Sequence, residues 1–236
     1  MQRPRLDPPD PERARALLFQ CARRVSAAVQ QEWRRDWTRF GEQTGMGADG
    51  TPTKYIDQLA EDIILETIRD ANIPLNVLSE ECGLIDNDAA YTLVMDPIDG
   101  TRNATHNIPF FCVSLAIGRE SVGDIEYALI RNLSNEDTFF ARRGHGAALN
   151  GEPIHVRKPD MQEVMVAAVY EEADQISAYW SRPRLHFRDM GSAALEMALV
   201  ANGSFDAFFS PRDFLRVIDI AGATLVIREE IGRAHV

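Results

Sequence analysis

The chain reads as a mixed helix and sheet protein, α+β over residues 1–150 and α/β over 151–236. Three observations carry this reading. Two segments near the start repeat apolar residues at helical spacing. Short apolar runs broken by Gly, Asn and Asp follow, which is the pattern of an antiparallel meander. After Asn150-Gly151, a turn dipeptide taken as the domain boundary, strand-like and helical stretches alternate.

The elements follow in order. Asp10-Pro11-Glu12 supplies an N-cap, a proline at the first helical position and an acid in the first turn. A helix from there to Phe40-Gly41 places Ala16, Leu17, Cys21, Val25, Ala28, Val29 and Trp33 on one face. Residues 41–53 are a glycine-rich loop. A second helix, Tyr55 to Asp70, buries Ile56, Leu59, Ile63, Ile64 and Ile68. Strands are expected at 75–79, 91–95, 110–117, 125–132 and 137–142. In the second half, 163–170 and 205–209 read as strands, Arg188-Asp189-Met190 leads into a helix over 191–202, and 218–228 is helical.

Composition narrows the function. The 236 residues are 45% hydrophobic and 26% charged, as in ordinary globular proteins. A net charge of −11 disfavours nucleic acid as a partner. Cys21, Cys82 and Cys112 are odd in number and far apart, which speaks against a disulfide scaffold or structural zinc. No secretory h-region and no membrane-length apolar run is present, so the expectation is a cytoplasmic protein without a membrane partner.

The chemistry concentrates in Asp96-Pro97-Ile98-Asp99-Gly100-Thr101, with Glu80-Glu81 upstream. Hard oxygens at this density suit Mg²⁺, which takes one or two carboxylates plus substrate phosphate. Pro97 and Gly100 are expected to reverse the chain and return Asp99 towards Asp96. The two carboxylates then repel unless a cation lies between them, and the Ile98 carbonyl adds an oxygen. A helical turn starting at Gly100 would aim free N–H groups at an anion. The competing reading is a plain Asp-Pro turn with an N-cap. On a strand, only one of Glu80 and Glu81 faces the site. Asp57 reads equally as an acid favoured by a helix start. Asp219, set among small and apolar residues, reads as an N-cap or a ligand. The spacing Gly45 to Gly50 mimics a P-loop, but Thr51-Pro52 replaces the Lys-Ser/Thr pair, so a nucleoside triphosphatase is rejected.

Together, Glu80-Glu81, Asp96–Thr101, Asn103 and Asp219-Ile-Ala-Gly-Ala resemble the inositol monophosphatase family of Mg²⁺-dependent phosphatases. The loop Gly47–Lys54 and the segment Arg212–Asp219 are similar to its archaeal-type inositol monophosphatase/fructose-1,6-bisphosphatase branch. The resemblance implies a sugar-phosphatase sandwich of alternating α-β-α-β-α layers and a homodimer. It implies Mg²⁺, two or three ions per site, with Mn²⁺ able to substitute. Glu80, Asp96 and the Ile98 carbonyl would hold one ion, and Asp96, Asp99 and Asp219 a second. Asp49 would assist a third, shared with Glu80. Asp57 and Thr101 would activate water. Gly100 and Thr101 would hold phosphate, and Gly191, Ser192 and Ala193 would contact the polyol. Arg212 stands where inositol-specific members are acidic, and Ile218 where animal enzymes have Trp, so a second phosphate fits better than strict inositol preference. The implied reaction is hydrolysis of a sugar or polyol phosphate monoester, fructose-1,6-bisphosphate or inositol-1-phosphate. The rival readings are a 3′-phosphoadenosine 5′-phosphate phosphatase and a non-catalytic binding member or inactive fragment.

The resemblance implies a continuation with Glu-Ala-Gly-Gly and more strand, whereas here Arg228-Glu229 is followed by Glu-Ile-Gly-Arg-Ala-His-Val. That peptide matches one reading frame of a common sequencing adapter. Glu230–Val236 is therefore expected to be read-through, leaving the second domain incomplete; the competing reading is a short natural tail.

Overall fold

The computed structural model describes residues 10–48, 50–158, 162–168, 184–210 and 215–231. Helix α1 (Pro11–Asp36) starts where the sequence placed it. The Asp10 carboxylate accepts from the Glu12 and Arg13 N–H groups, each at 3.0 Å. A 3-10 turn, Trp37–Gly41, completes the expected length. The buried stripe is Ala14, Leu17, Leu18, Cys21, Ala22, Val25 and Val29, while Ala16 lies outside it and is exposed. Helix α2 (Tyr55–Ala71) closes on the left-handed Asn72.

The central sheet has eight strands. They are β1 (Asn76–Ser79), β2 (Gly83–Ile85), β3 (Thr92–Asp99), β4 (Cys112–Gly118), β5 (Tyr127–Asn132), β6 (Thr138–Arg142), β7 (Gly146–Leu149) and β8 (Glu152–Pro153). Their order is β2-β1-β3-β4-β5-β6-β7-β8. Only β1 and β3 run parallel; the remaining pairs are antiparallel. β2, β7 and β8 are too short and too polar or Gly-rich to stand out in the sequence. Asn150-Gly151 forms the β7–β8 turn, so the first sheet keeps two residues beyond that dipeptide.

Alternation along the strands dictates the layers. Leu93 and Met95 of β3, Val113, Leu115 and Ile117 of β4, and Tyr127 and Leu129 of β5 pack with α1 and α2. Their neighbours Val94, Cys112, Ala116, Ala128 and Ile130 face the opposite way and pack with α4 (Ala193–Ala201) and α5 (Val217–Ile231). Each strand thus serves two apolar cores at a period of two. Beyond α4, a second sheet of β9 (Val164–Ala168), β10 (Leu185–Arg188) and β11 (Ala207–Phe209) is parallel, in the order β10-β9-β11. The described residues therefore supply four alternating layers, α-β-α-β. The lead-in expected over 188–190 belongs partly to β10, and α4 starts two residues later than expected, after the Gly191-Ser192 turn.

Two glycines set close approaches. Gly222 brings α5 against β4, where an added Cβ would lie 2.9 Å from Ser114 Oγ. Gly100 has φ +95°, and its Cβ position would lie 3.1 Å from the Gly191 carbonyl, so the turn after β3 abuts the turn before α4.

Candidate active site

The structure corrects the path of the carboxylate motif. The chain does not reverse at Pro97. Strand β3 continues through Asp99, with a register shift against β4 between Asp96 and Asp99. The reversal comes at Gly100, followed by the short helix α3 (Thr101–Thr105). The bulge, rather than a tight turn, turns both carboxylates into the interior, where Asp96 is 3% and Asp99 8% exposed.

Asp99 is held by the second half of the chain. Its Oδ2 accepts the Ser192 hydroxyl and the Ala194 N–H, both at 2.7 Å. Ser192 is fully buried, so its hydroxyl braces Asp99 instead of facing an open cleft; Ala193 is buried beside it, and Gly191 is exposed. Asp96 receives the Ile98 N–H at 3.0 Å. Burial pushes the Asp99 carboxyl up to about 6 against the lowering pull of Ser192 and Ala194. Asp96 rises well above the carboxylate range through burial and then the charges of Asp99, Glu80, Asp219 and Asp57.

Asp57 faces the same centre from the first turn of α2. Thr101 Oγ1 lies 2.7 Å from Asp57 Oδ1 and 2.9 Å from the Ile98 carbonyl oxygen. The hydroxyl has one proton and two acceptors. Burial raises Asp57 to about 7, opposed by the Thr101 bond and helped by the Glu81 charge. Asp57, Thr101, Glu80, Glu81, Lys54 and Arg102 line one cleft of about 540 Å³.

The acidic pair divides its work. Glu81 accepts the Thr53 hydroxyl, and its carbonyl accepts the Ala48 N–H at 2.8 Å, which fastens the glycine-rich loop. Glu80 Oε1 lies 2.7 Å from Arg216 Nη2. Asp219, in the first turn of α5, accepts the Arg216 main-chain N–H at 2.6 Å and the guanidinium at 3.1 Å. Asp49 and Arg212 lie outside the described residues.

Two further side chains, Glu61 and Glu196, escaped the sequence reading, which named Asn103 but gave it no role. Buried Glu61 accepts the Ser79 hydroxyl and, at 3.1 Å, the Cys82 N–H, which fixes both ends of the acidic pair. Its spacing of four from Asp57 on α2 was the available signal. Glu196, with 0% exposure, accepts the Met190 and Gly191 N–H groups at 2.7 and 3.0 Å. An acid inside the all-apolar run 193–201 was its signal. Asn103 donates to the Met190 and Phe110 carbonyls at 2.6 and 2.7 Å, tying α3 to the same turn.

Among the described residues, no three His, Cys, Asp or Glu side chains are already gathered as an ion's ligands. The donor set nonetheless suits a hard divalent cation. It consists of carboxylates, most of them buried, whose charges converge on Asp96 and raise its proton affinity.

A family model described as the inositol monophosphatase family matches residues 10–233. A fructose-1,6-bisphosphatase/inositol-1-monophosphatase of Thermococcus kodakarensis is 37% identical over 206 residues, 82% of this chain and 73% of that protein. Its namesake from Methanothermobacter thermautotrophicus is 33% identical over 210 residues, 81% of this chain and 74% of that protein. The crystal structure of an inositol monophosphatase-fructose 1,6 bisphosphatase, the MJ0109 gene product, superposes with a TM-score of 0.79 at 28% identity, covering 91% of this chain and 82% of the other. With the buried carboxylates of β3, the Asp57–Thr101 pair and the layered sandwich in place, the chain belongs to the inositol monophosphatase family.

Proposed function

We propose that this chain is a metal-dependent phosphoric monoester hydrolase acting on a phosphorylated sugar or polyol, fructose-1,6-bisphosphate or inositol-1-phosphate. One observation carries the reading: the hydrogen-bonded Asp57–Thr101 pair opens on the cleft that Glu80 also lines, beside buried Asp96 and Asp99. The family is generally Mg²⁺-dependent. Glu80, Asp96 and the Ile98 carbonyl would hold one ion, Asp96, Asp99 and Asp219 a second, and Asp49 with Glu80 a third. Mg²⁺ bound there supplies positive charge for the phosphoryl oxygens and a water of lowered pKa.

The chain's own groups do the proton work. Thr101 Oγ1 takes a proton from the attacking water as its own proton passes to Asp57 Oδ1. Burial, which raises the proton affinity of Asp57, favours its accepting that proton. The main chain at Gly100 and Thr101 would steady the phosphate, exposed Gly191 would flank the polyol while buried Ser192 and Ala193 stay behind it, and Arg212 would meet a second phosphate. Free thiols at Cys21, Cys82 and Cys112 suit the reducing cytoplasm, and among the described residues no helix is long and apolar enough to cross a membrane. The homodimer and Mn²⁺ substitution belong to the same proposal on family likeness.

Phosphate release from fructose-1,6-bisphosphate, inositol-1-phosphate and 3′-phosphoadenosine 5′-phosphate, with Mg²⁺ or with chelator, tests the reading. The expected result is Mg²⁺-dependent turnover of a sugar or polyol ester, reduced at least roughly 10²–10³-fold by Asp96→Asn. Full activity in that variant would overturn it.

A further inference from the structure

Arg216 sits between two groups that the proposed function assigns to different ions. Its Nη2 lies 2.7 Å from Glu80 Oε1 and 3.1 Å from Asp219 Oδ1. Its Nε lies 3.4 Å from Asp219 Oδ2, and its main-chain N–H donates to that same oxygen at 2.6 Å. One planar guanidinium therefore joins a strand end after β1 to the first turn of α5. It neutralises part of the negative charge that Glu80 and Asp219 press on Asp96. A guanidinium keeps its charge at any working pH, and its rigid planar fork spreads donors over three nitrogens, which fixes the geometry of a bridge between two carboxylates better than a freely rotating ammonium. Its side chain is 42% exposed, so water can receive it if it lets go.

Resting on the metal-dependent reading above, we propose that Arg216 is a resident cation of the carboxylate cluster. It competes with Mg²⁺ for Glu80 and Asp219 and thereby sets how tightly the ion is held. Two consequences follow from charge alone. A divalent ion approaching Glu80 and Asp219 meets a positive charge already engaged with both, which weakens its binding. Without that ion, the same guanidinium relieves carboxylate repulsion and stabilises the fold. Arg216 is in this sense a positioning residue: it acts through the ligands and touches no reacting atom.

Calorimetric titration of MgCl₂ into the full chain tests this, paired with melting temperatures in chelator. Arg216→Gln should bind Mg²⁺ about tenfold tighter than the parent, the factor that one modest charge interaction is worth. It should also melt lower in chelator and gain more from added Mg²⁺. Arg216→Lys, which keeps the charge but loses the planar fork, should fall between. Mg²⁺ binding by Arg216→Gln that is equal to or weaker than the parent's overturns the proposal while leaving the metal-dependent reading intact. Should the glutamine variant not fold, a lysine variant that binds no tighter than the parent overturns it equally. Absence of Mg²⁺ binding in all three, the parent included, overturns both.

Discussion

Asp96 and Asp99 stand three residues apart on one strand, nearly equally buried, yet the two halves of the chain treat them differently. Asp99 is supported from the second half, where Ser192 and Ala194 point donors at one oxygen. Asp96 receives one local N–H and is otherwise surrounded by other acids. Burial alone would push both carboxyls upwards. The donors hold Asp99 near 6, while Asp96 climbs well above the ordinary range. The contrast teaches that the second half stabilises one charge in advance, whereas the other needs a cation from outside. A site with one prepared and one unprepared carboxylate gains most from an ion at the unprepared one.

Neutralising each carboxylate in chelator gives the sharpest break of that contrast. Asp96→Asn removes a charge that the fold holds at a cost, so its melting temperature should match or exceed the parent's even though turnover is lost. Asp99→Ala strands a buried hydroxyl and a buried N–H. It should be destabilised by about 1–3 kcal/mol for each unsatisfied donor, read from denaturant midpoints. Equal destabilisation of the two variants would remove the distinction. Ser192→Ala asks the same question more gently. It keeps Asp99 but loses the donor that orients it, and Mg²⁺ affinity should fall roughly 10–100-fold, as for other partners that orient ligands. Unchanged affinity would show that Ala194 suffices alone.

The two halves also differ in how far their chemistry could be read from sequence. The first half presents its acids in local patterns. Asp96 and Asp99 share a motif, Glu80 follows a strand, and Asp57 opens a helix, so local spacing sufficed to single them out. Their partners in the second half lie far away in the chain, with Ser192 and Ala194 separated from Asp99 by 93 and 95 residues. No periodicity encodes a contact at that range. Ser192 was expected at the substrate, and its inward turn depends on the close approach of Gly100 to Gly191, a tertiary fact. The bulge in β3 was misread as a reversal because Pro97 is also a common turn residue. Helices α1 and α2 were legible because their apolar stripes continue for many turns. β10 was missed because Leu185–Arg188 alternates over only four residues.

Glu196 offers the finest test of whether the second half is prepared in advance. It lies behind the donors of Asp99, and its Oε1 holds the turn at Met190 and Gly191 from which Ser192 follows. Its Oε2 is buried without a hydrogen-bond partner among the described residues. Burial pushes this carboxyl from 4.5 up to about 8, so over that interval the folded chain keeps a proton that the unfolded chain has released. Folding then takes up a proton, and the contribution to stability is complete below about 4.5 and declines as pH rises through about 8. Glu196→Gln keeps the neutral form at every pH while an amide oxygen still accepts the two N–H groups. Denaturant midpoints at a series of pH values across that window should fall with rising pH in the parent and fall less steeply in the variant. Parallel slopes would mean that Glu196 carries its charge in the fold. The turn bearing Ser192 would then be held by a carboxylate, and the second half of the site would have to supply the donors for two buried charges instead of one.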